Sequence, residues 1–265
     1  MTADVQMWAE SGLRYEVDDG VAWLRLNRPA KRNAMNNAAQ AQFADILDAT
    51  HDCRVIVLTG AGDVSFCAGV DVTERANLGA AKTARPAWQG DSWFEIQERI
   101  MRHPAVFVAA VNGYALGGGL TLVNNCELAV AADTATFGMP EVTIGAFPAL
   151  AGPSTSHRIL NKHLAYMVLL GQRVDAATAM SWGLVNEVVP AAELLPRAEE
   201  IARRVAGADG AVLDYAKRAL REMSDLPWSQ SIEYGLRTGA MVRQQAEISK
   251  QSRELADKAA GKDAR

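Results

Sequence analysis

The amino-acid sequence predicts an α/β fold for about the first 190 residues, followed by a helical C-terminal region. Continuous apolar runs at 54–59 and 105–111 have the composition of strands that are covered on both faces. Helical segments alternate with these strands, which is the pattern of right-handed α/β units. After Gly152 almost every segment is helical by composition and spacing. We therefore predict an α/β domain at residues 1–190 and a helical region at residues 191–265.

The individual elements follow from local patterns. Residues 13–17 and 21–26 alternate between residue types on either side of Asp19-Gly20, which predicts a hairpin. Apolar residues recur at helical spacing from Asn37 to about Thr50, whereas residues 61–90 are rich in glycine and alanine and are predicted as loop. The remaining predicted helices are 93–102, 120–127, 158–171, 176–182, 193–206, 211–223 and 229–258, and the short predicted strands are 129–131, 136–137 and 187–189.

Composition excludes several classes of protein. The 265 residues include 27 basic and 31 acidic side chains, a net charge of −4 that argues against a broad nucleic-acid-binding face. Three cysteines without CxxC spacing favour neither a disulfide framework nor a structural zinc site. The longest apolar run falls far short of the ~20 residues that span a bilayer, and the N-terminus lacks the pattern of a signal peptide. We expect a soluble, cytoplasmic protein without membrane or nucleic-acid partners.

Two glycine-containing segments predict a pair of main-chain hydrogen-bond donors. Gly117-Gly118-Gly119 follows a buried strand and opens a helix, so its N–H groups lack intrahelical partners and suit an anionic oxygen. In the segment 65–71, Gly69 permits a backbone angle that turns the N–H of Val70 outward. Two such N–H groups aimed at one point form an oxyanion hole. Tight helix–sheet packing and an ordinary loop are the structural alternatives for these two segments.

Glu141 is the candidate acid–base residue. It follows Pro140 and precedes apolar residues, and a carboxylate with apolar neighbours tends to have a raised pKa. A solvated loop glutamate is the alternative interpretation. The sequence gives less support to other catalytic classes. It has no HExxH motif of a metal site and no GxSxG motif of an α/β-hydrolase, and no histidine is placed by sequence to activate Cys67 as a nucleophile.

Five segments together resemble the enoyl-CoA hydratase/isomerase (crotonase) superfamily. In the order of that family they are LNRPAKRNAMN (26–36), VIVLTGAGDVSFCAGVD (55–71), AAVNGYALGGGLTL (109–122), ADTATFGMPEVTIGAFP (132–148) and GQRVDAATAMSWGLVNEVV (171–189). The resemblance implies a crotonase-like spiral of ββα units with a helical C-terminal trimerisation region, assembled as a homotrimer or a dimer of trimers.

The resemblance also implies a substrate and roles for individual residues. It implies an acyl-CoA thioester as substrate, with coenzyme A as part of that substrate and no prosthetic group or metal. The oxyanion-hole amides fall on Val70 and Gly118. Trp88, Trp93 and Phe147 are candidates for the acyl pocket, although helix packing is the simpler interpretation of Trp93. Contacts with coenzyme A fall on Lys31, Arg32, Ala34, Ala68 and Asp71.

The sequence departs from the family pattern at Thr121. Hydratases of this family typically carry a second catalytic glutamate two residues after the glycine triplet, and threonine can hold a water there but cannot act as a base near neutral pH. One carboxylate, Glu141, is sufficient to move a proton between Cα and Cγ, so the main prediction is enoyl-CoA isomerisation. The alternatives are a 2-enoyl-CoA hydratase that uses Glu141 with a water held by Thr121 or a carboxylate from residues 91–98, and a catalytically weak acyl-CoA-binding protein.

Overall fold

The structure is a computed structural model that describes residues 6–8, 12–71 and 92–259. The chain forms two compact units, Met1–Gly207 and Ala208–Arg265. Trp88 and part of the predicted loop 61–90 lie outside the described residues.

The elements are numbered here in chain order. The strands are β1 (Gln6–Trp8), β2 (Leu13–Asp18), β3 (Val21–Leu26), β4 (Val55–Gly60), β5 (Ser65–Cys67), β6 (Val106–Val111), β7 (Tyr114–Leu116), β8 (Leu128–Ala132), β9 (Thr136–Gly138), β10 (Arg173–Asp175) and β11 (Glu187–Val189). The helices are α1 (Asn37–Ala49), α2 (Ser92–Arg102), α3 (Gly118–Asn125), α4 (Ala151–Ser156), α5 (Asn161–Leu170), α6 (Ala176–Trp182), α7 (Leu194–Ala206), α8 (Gly210–Ser224) and α9 (Trp228–Ala259). Short 3-10 helices lie at Pro29–Lys31, Pro140–Ile144 and Ala191–Glu193.

Two sheets organise the first unit. In the described part of the chain the larger sheet has the strand order β1-β2-β3-β4-β6-β8-β11 and the smaller one the order β10-β9-β7-β5. Strands β4, β6 and β8 lie in the larger sheet, and the strands that follow them, β5, β7 and β9, lie in the smaller sheet. Helices α2, α3 and α4 come after these three strand pairs. The chain therefore winds through repeated ββα units, which confirms the predicted α/β fold.

The central strands are buried on both faces. Ile56 and Leu58 of β4 point into the main core, whereas Val55 and Val57 point to the opposite face. There they meet residues of α7 at helical spacing, Leu194, Ala198, Ala202 and Ala206. The predicted domain boundary at residue 190 thus lies before a helix that packs on the larger sheet within the first unit.

Several predicted elements differ from the structure. The helix predicted at 158–171 begins only at Asn161, because His157 ends α4 and residues 157–160 form a turn and a link. Strand β5 lies inside residues 61–90, which are predicted as loop, and no strand is predicted at β7 or β10. Each has only three residues, and pairing with neighbouring strands of the smaller sheet holds it extended.

The second unit consists of helices α8 and α9 in the described residues. Asp209 caps α8, since its carboxylate accepts hydrogen bonds from the N–H groups of Ala211 and Val212. No helix in the described part of the chain is long and apolar enough to span a membrane.

Candidate active site

The loop after β3 is fastened to the loop after β4 by one buried asparagine. Asn33 has a φ of +55° and donates from Nδ2 to the carbonyl oxygens of Ala61 (3.0 Å) and Ser65 (2.6 Å). Its Oδ1 accepts a hydrogen bond from the N–H of Arg28 at 2.9 Å. Residues 27–36 and residues 61–71, which together carry the five predicted coenzyme A contacts and one predicted oxyanion donor, are therefore held together as a single layer.

The N–H of Val70 points away from this layer. Met35 donates to the carbonyl of Gly69 at 2.8 Å and accepts from the N–H of Asp71 at 3.0 Å, as in a parallel bridge between Met35 and Val70. In such a bridge the N–H of the middle residue projects to the opposite side. Consistent with this, the N–H of Val70 donates to no backbone carbonyl among the described residues.

Gly69 brings Val70 close to the N-terminus of α3. Gly69 has a φ of +92°, and a Cβ added to it would lie 3.0 Å from the nitrogen of Gly118 and 3.1 Å from the carbonyl oxygen of Leu116. Gly118 is the first residue of α3, so its N–H has no partner within the helix. The two predicted oxyanion donors, on Val70 and Gly118, are thus neighbours in space although 48 positions separate them in the sequence.

The glycine triplet also serves packing. A Cβ on Gly119 would lie 2.0 Å from the carbonyl oxygen of Cys67, so only glycine allows α3 to approach β5 this closely. Gly117 precedes the helix with a φ of +51° and donates to the carbonyl of Gly138 at 2.9 Å. The packing and oxyanion interpretations of the triplet are therefore compatible, because close packing depends on the missing side chains and the oxyanion role depends on a main-chain N–H group.

Glu141 lies beside the same turn. It belongs to the 3-10 helix Pro140–Ile144, and its Oε1 would be 2.6 Å from a Cβ on Gly117. Its Oε2 is buried and has no hydrogen-bond partner among the described residues. Burial raises the pKa of Glu141 above its usual value, and a backbone hydrogen bond opposes the shift. A half-buried carboxyl with a raised pKa next to an oxyanion donor suits proton transfer.

Thr121 lies one turn into α3 and is only 2% exposed. Its hydroxyl donates to the carbonyl oxygen of Gly117, which is one helical turn earlier, at 3.4 Å. The hydroxyl oxygen keeps its lone pairs, so it can accept a hydrogen bond but supplies no base. The described residues therefore place one carboxylate, that of Glu141, against the glycine triplet.

Trp93 packs against the other side of the triplet. A Cβ on Gly118 would lie 2.9 Å from each of three atoms of the Trp93 indole, which is 4% exposed in the first turn of α2. Trp93 therefore packs between helices, as the simpler interpretation expects, and also lies against Gly118, the predicted oxyanion donor residue. Phe147 is 71% exposed, and Trp88 lies outside the described residues.

The predicted coenzyme A contacts fall into two groups. Lys31 and Arg32 are exposed, whereas Ala34 is buried and Ala68 is half-buried. The N–H of Ala68 donates to the carbonyl of Arg32 at 3.0 Å, which joins the two predicted segments.

Asp71 differs from the other predicted contacts. Its carboxylate forms an ion pair with Arg28 at 3.1 Å, and the two side chains are only 11% and 20% exposed. Arg28 also donates to the carbonyl of Ala34. Sequence reasoning did not single out Arg28, and no local signal marks an ion pair between residues 43 positions apart.

The remaining candidate side chains in the described residues are ion-paired or protonated. Glu95 and Glu98 form i,i+4 ion pairs with Arg99 and Arg102 on α2, so they do not replace the missing second glutamate; Asp91 lies outside the described residues. Burial raises the pKa of the Cys67 thiol to about 12, which keeps it protonated. The described residues contain no cluster of three or more side chains suited to a metal ion.

Comparison with known proteins gives a consistent result. A family model described as enoyl-CoA hydratase/isomerase matches residues 16–259. A crotonyl-CoA hydratase of Syntrophomonas wolfei is 34% identical over 224 residues, covering 82% of this chain and 85% of the relative. A 2,3-dehydroadipyl-CoA hydratase of Escherichia coli is 37% identical over 210 residues, covering 78% and 80%.

Solved structures agree with this assignment. The crystal structure of an enoyl-CoA hydratase from Mycobacterium smegmatis has a TM-score of 0.79 at 28% identity and covers 87% of this chain and 90% of its own. That of an enoyl-CoA hydratase from Bacillus anthracis has a TM-score of 0.78 at 26% identity and covers 97% of both chains. The fold is accordingly that of the crotonases, and the chain belongs to the enoyl-CoA hydratase/isomerase family as one of its enzymes.

Proposed function

We propose that this protein isomerises the double bond of an enoyl-CoA thioester, with Val70 and Gly118 as oxyanion donors and Glu141 as the proton carrier. One observation supports this most strongly. The Glu141 carboxylate lies beside Gly117, and Gly69 lies beside the nitrogen of Gly118, the next residue. A proton acceptor and two main-chain donors are therefore gathered around one peptide unit.

The donors act on the thioester oxygen. Removing a proton from Cα of an acyl thioester places negative charge on that oxygen, and fixed N–H groups stabilise the charge without reorienting. Both amides belong to rigid elements, a parallel bridge at Val70 and a helix start at Gly118. Losing one oxyanion donor costs roughly 3–4 kcal/mol in other enzymes, so the pair supplies much of the expected rate.

Glu141 performs both proton transfers. Its carboxylate takes the proton from Cα of a 3-enoyl-CoA, and the electron pair of that C–H bond moves into a dienolate. The protonated carboxyl then returns the proton to Cγ, which yields the conjugated 2-enoyl-CoA and regenerates the carboxylate. No other reactant is needed. The raised pKa of Glu141 suits both halves, since the group must accept and release the same proton.

Thr121 is the reason to favour isomerisation over hydration. Adding water to a 2-enoyl-CoA involves deprotonating the water and protonating Cα, and hydratases of this family typically carry two glutamates for these transfers. Thr121 holds the position of the second family glutamate and provides only a hydroxyl, which donates to the carbonyl of Gly117. A single carboxylate matches a reaction in which one proton leaves and returns.

Hydration is the second candidate, and the names of the relatives favour it. Relatives 34% and 37% identical to this chain are named crotonyl-CoA hydratase and 2,3-dehydroadipyl-CoA hydratase. In this reaction the Thr121 hydroxyl would accept a hydrogen bond from the water and hold it near Glu141. The same oxyanion hole serves both reactions, because both pass through an enolate of the thioester.

Coenzyme A would bind along the layer formed by residues 27–36 and 61–71. Lys31 and Arg32 are exposed cations in a protein of net charge −4, which suits them to phosphate groups. Ala34, Ala68 and Asp71 would line the same site. Since the Asp71 carboxylate pairs with Arg28, Asp71 would contribute its main chain rather than its charge.

The experiment that separates these functions follows the proton. The protein is incubated with 2-enoyl-CoA and with 3-enoyl-CoA in deuterated water, and the products are identified by NMR. Double-bond migration supports isomerisation, with deuterium at Cγ to the extent that the Glu141 proton exchanges with solvent before its return, whereas a 3-hydroxyacyl-CoA supports hydration. If neither product forms above the uncatalysed background although acyl-CoA binds tightly, both isomerisation and hydration are contradicted. The protein would then be an acyl-CoA-binding protein.

Assembly is a separate proposal from the same family relationship. We propose a homotrimer or a dimer of trimers, with the helical C-terminal region at the contacts. Light scattering coupled to size exclusion should give a mass of three or six chains of 28.5 kDa. A monomeric mass at micromolar concentration would contradict this assembly.

A further inference from the structure

We propose that Trp93 determines the length of the acyl group by closing the acyl side of the site beside Gly118. The inference rests on the proposed function, because it assumes that the carbonyl of an acyl-CoA binds at Gly118. It goes beyond that function by assigning a preference for short acyl groups to one side chain.

The geometry places the indole at the reacting group. Gly117 and Gly118 share one peptide unit, and an added Cβ on the first would meet the Glu141 carboxylate at 2.6 Å, whereas one on the second would meet the Trp93 indole at 2.9 Å. The carboxylate and the indole thus flank the peptide whose N–H is the oxyanion donor. A carbonyl oxygen that accepts from Gly118 brings its first acyl carbons within van der Waals reach of the indole.

The indole leaves no room for a chain on that side. Three of its atoms would lie 2.9 Å from a Cβ on Gly118, and the residue is only 4% exposed, so most of the ring surface is already in contact with other residues. An acyl chain that extends past Gly118 would have to displace a ring held in the first turn of α2. Displacing a packed aromatic side chain costs more than the burial of a few methylene groups returns.

The absence of a side chain at Gly118 supports the same conclusion. A residue larger than glycine at this position would collide with the indole, so the donor residue and Trp93 fit each other as a pair. Trp93 is 25 positions before Gly118 and on a different helix, and the contact therefore results from how α2 packs beside α3. We expect Trp93 to act on acyl-group selection and not on proton transfer, because the acid–base group lies beside the other glycine.

The test measures binding of saturated acyl-CoA thioesters, which cannot be isomerised or hydrated. Affinities for butyryl-, octanoyl- and dodecanoyl-CoA are determined by calorimetry for the wild type and for Trp93→Ala and Trp93→Phe. Trp182→Phe is the matched control, since Trp182 also lies in an aromatic contact, stacked on His163 at 4.2 Å, but on α6. Melting curves verify that each variant is folded.

In the wild type we expect affinity to stay level or fall from butyryl- to octanoyl-CoA. Each methylene that gains a buried site raises affinity about fourfold, so Trp93→Ala should raise the octanoyl-to-butyryl affinity ratio by about tenfold or more. Trp93→Phe should shift the ratio in the same direction by a smaller factor, and Trp182→Phe should leave it unchanged. A purely structural role would alter all affinities together without changing the ratio.

Two outcomes would overturn the inference, and they are distinguishable. If the wild type binds butyryl-CoA but the chain-length ratio of both Trp93 variants equals that of the wild type, Trp93 does not select the acyl group and the proposed function stands. If the wild type binds none of the three thioesters, the proposed function fails and the inference fails with it. Should Trp93→Ala not fold, the ratio measured for Trp93→Phe decides the question.

Discussion

Glu141 Oε1 lies against the main chain of Gly117, where an added Cβ would be only 2.6 Å away. Gly117 also adopts a φ of +51° with ψ of −117°, a conformation that is essentially restricted to glycine. The same residue therefore turns the chain into α3 and leaves the space that the carboxylate occupies. This contact joins the start of the oxyanion helix to the acid–base group.

Replacing Gly117 by alanine should impair catalysis severely. The new methyl group would displace the Glu141 carboxylate and strain the turn before Gly118, so we expect kcat to fall at least about 10²-fold. Gly145 provides the matched control, because its φ is +72° but no atom lies within 4 Å of an added Cβ. Gly145→Ala also places alanine at a positive φ, in the left-handed region where the strain is smaller, and should retain most activity. Equal losses in both variants would mean that the contact with Glu141 is unimportant.

Glu141→Gln should remove proton transfer while preserving binding. General acid–base catalysis contributes about 10²–10⁴ in rate, so kcat for isomerisation should fall by that factor. The amide has nearly the same shape as the carboxyl, so the dissociation constant of a saturated acyl-CoA should be largely unchanged. Glu95→Gln, which alters a surface glutamate paired with Arg99, is the control and should keep full activity. Turnover that survives Glu141→Gln would exclude Glu141 as the proton carrier.

The pH dependence follows from the raised pKa of Glu141. The reaction begins with the carboxylate as a base, so kcat/KM should fall as the pH drops through the raised pKa, above the ~4.3 of an exposed glutamate. A pH–rate profile for isomerisation measures this inflection. An inflection at or below the ordinary value of glutamate would contradict a desolvated base.

The same shift predicts an effect on stability. The folded protein binds the Glu141 proton more tightly than the unfolded chain, so this group favours folding at low pH and loses that contribution as the pH rises through the raised pKa. Glu141→Gln should therefore raise the melting temperature near neutral pH and have little effect near pH ~4. Melting curves across this range test the sign. Destabilisation of the variant near neutral pH would mean that the folded protein stabilises the charged form.

Thr121→Glu should introduce hydration. The variant places a second carboxyl one turn into α3, on a site only 2% exposed, where burial would raise its pKa toward that of a useful base. Thr121→Gln has the same size without the carboxylate and is the control. Formation of 3-hydroxyacyl-CoA should rise in the glutamate variant alone. If the wild type already hydrates 2-enoyl-CoA as fast as the variant, the preference for isomerisation is wrong.

The ion pair between Arg28 and Asp71 should stabilise the loop that carries Val70. Both side chains are largely buried, so Arg28→Met leaves a poorly solvated carboxylate and should cost about 2–3 kcal/mol of unfolding free energy, less than the ~3–5 of a fully buried pair. Adding Asp71→Asn removes the carboxylate charge and should recover part of the loss. Urea denaturation of the wild type, Arg28→Met, Asp71→Asn and the double variant gives the coupling energy. A double variant no more stable than Arg28→Met would contradict the pair's role.

Much of the scaffold is predictable because it depends on local pattern. Strands β3 and β4 and helix α6 were predicted to within a residue or two from alternation, apolar runs and helical spacing. The short strand β7 was not predicted, because its three residues acquire their extended conformation from pairing with β5 and β9. Such pairing partners are distant in the sequence and carry no local signal.

The site was predictable in part for the same reason. Glycines 69 and 117–119 and Glu141 have local signals, since few residue types tolerate their backbone positions or supply their chemistry. The contact of Trp93 with Gly118 and the ion pair of Arg28 with Asp71 join segments that are 25 and 43 residues apart. These contacts depend on how α2 packs beside α3 and on how the loop after β3 folds over the loop after β4. The assigned roles of the site residues remain predictions to be tested.

The central claim is that the N–H groups of Val70 and Gly118 bind one thioester oxygen. A crystal structure of the protein with bound butyryl-CoA tests it most directly. The account predicts that the carbonyl oxygen lies about 2.7–3.1 Å from both nitrogens, with Cα of the acyl group facing the Glu141 carboxylate. A carbonyl oxygen more than about 3.5 Å from either nitrogen would contradict it.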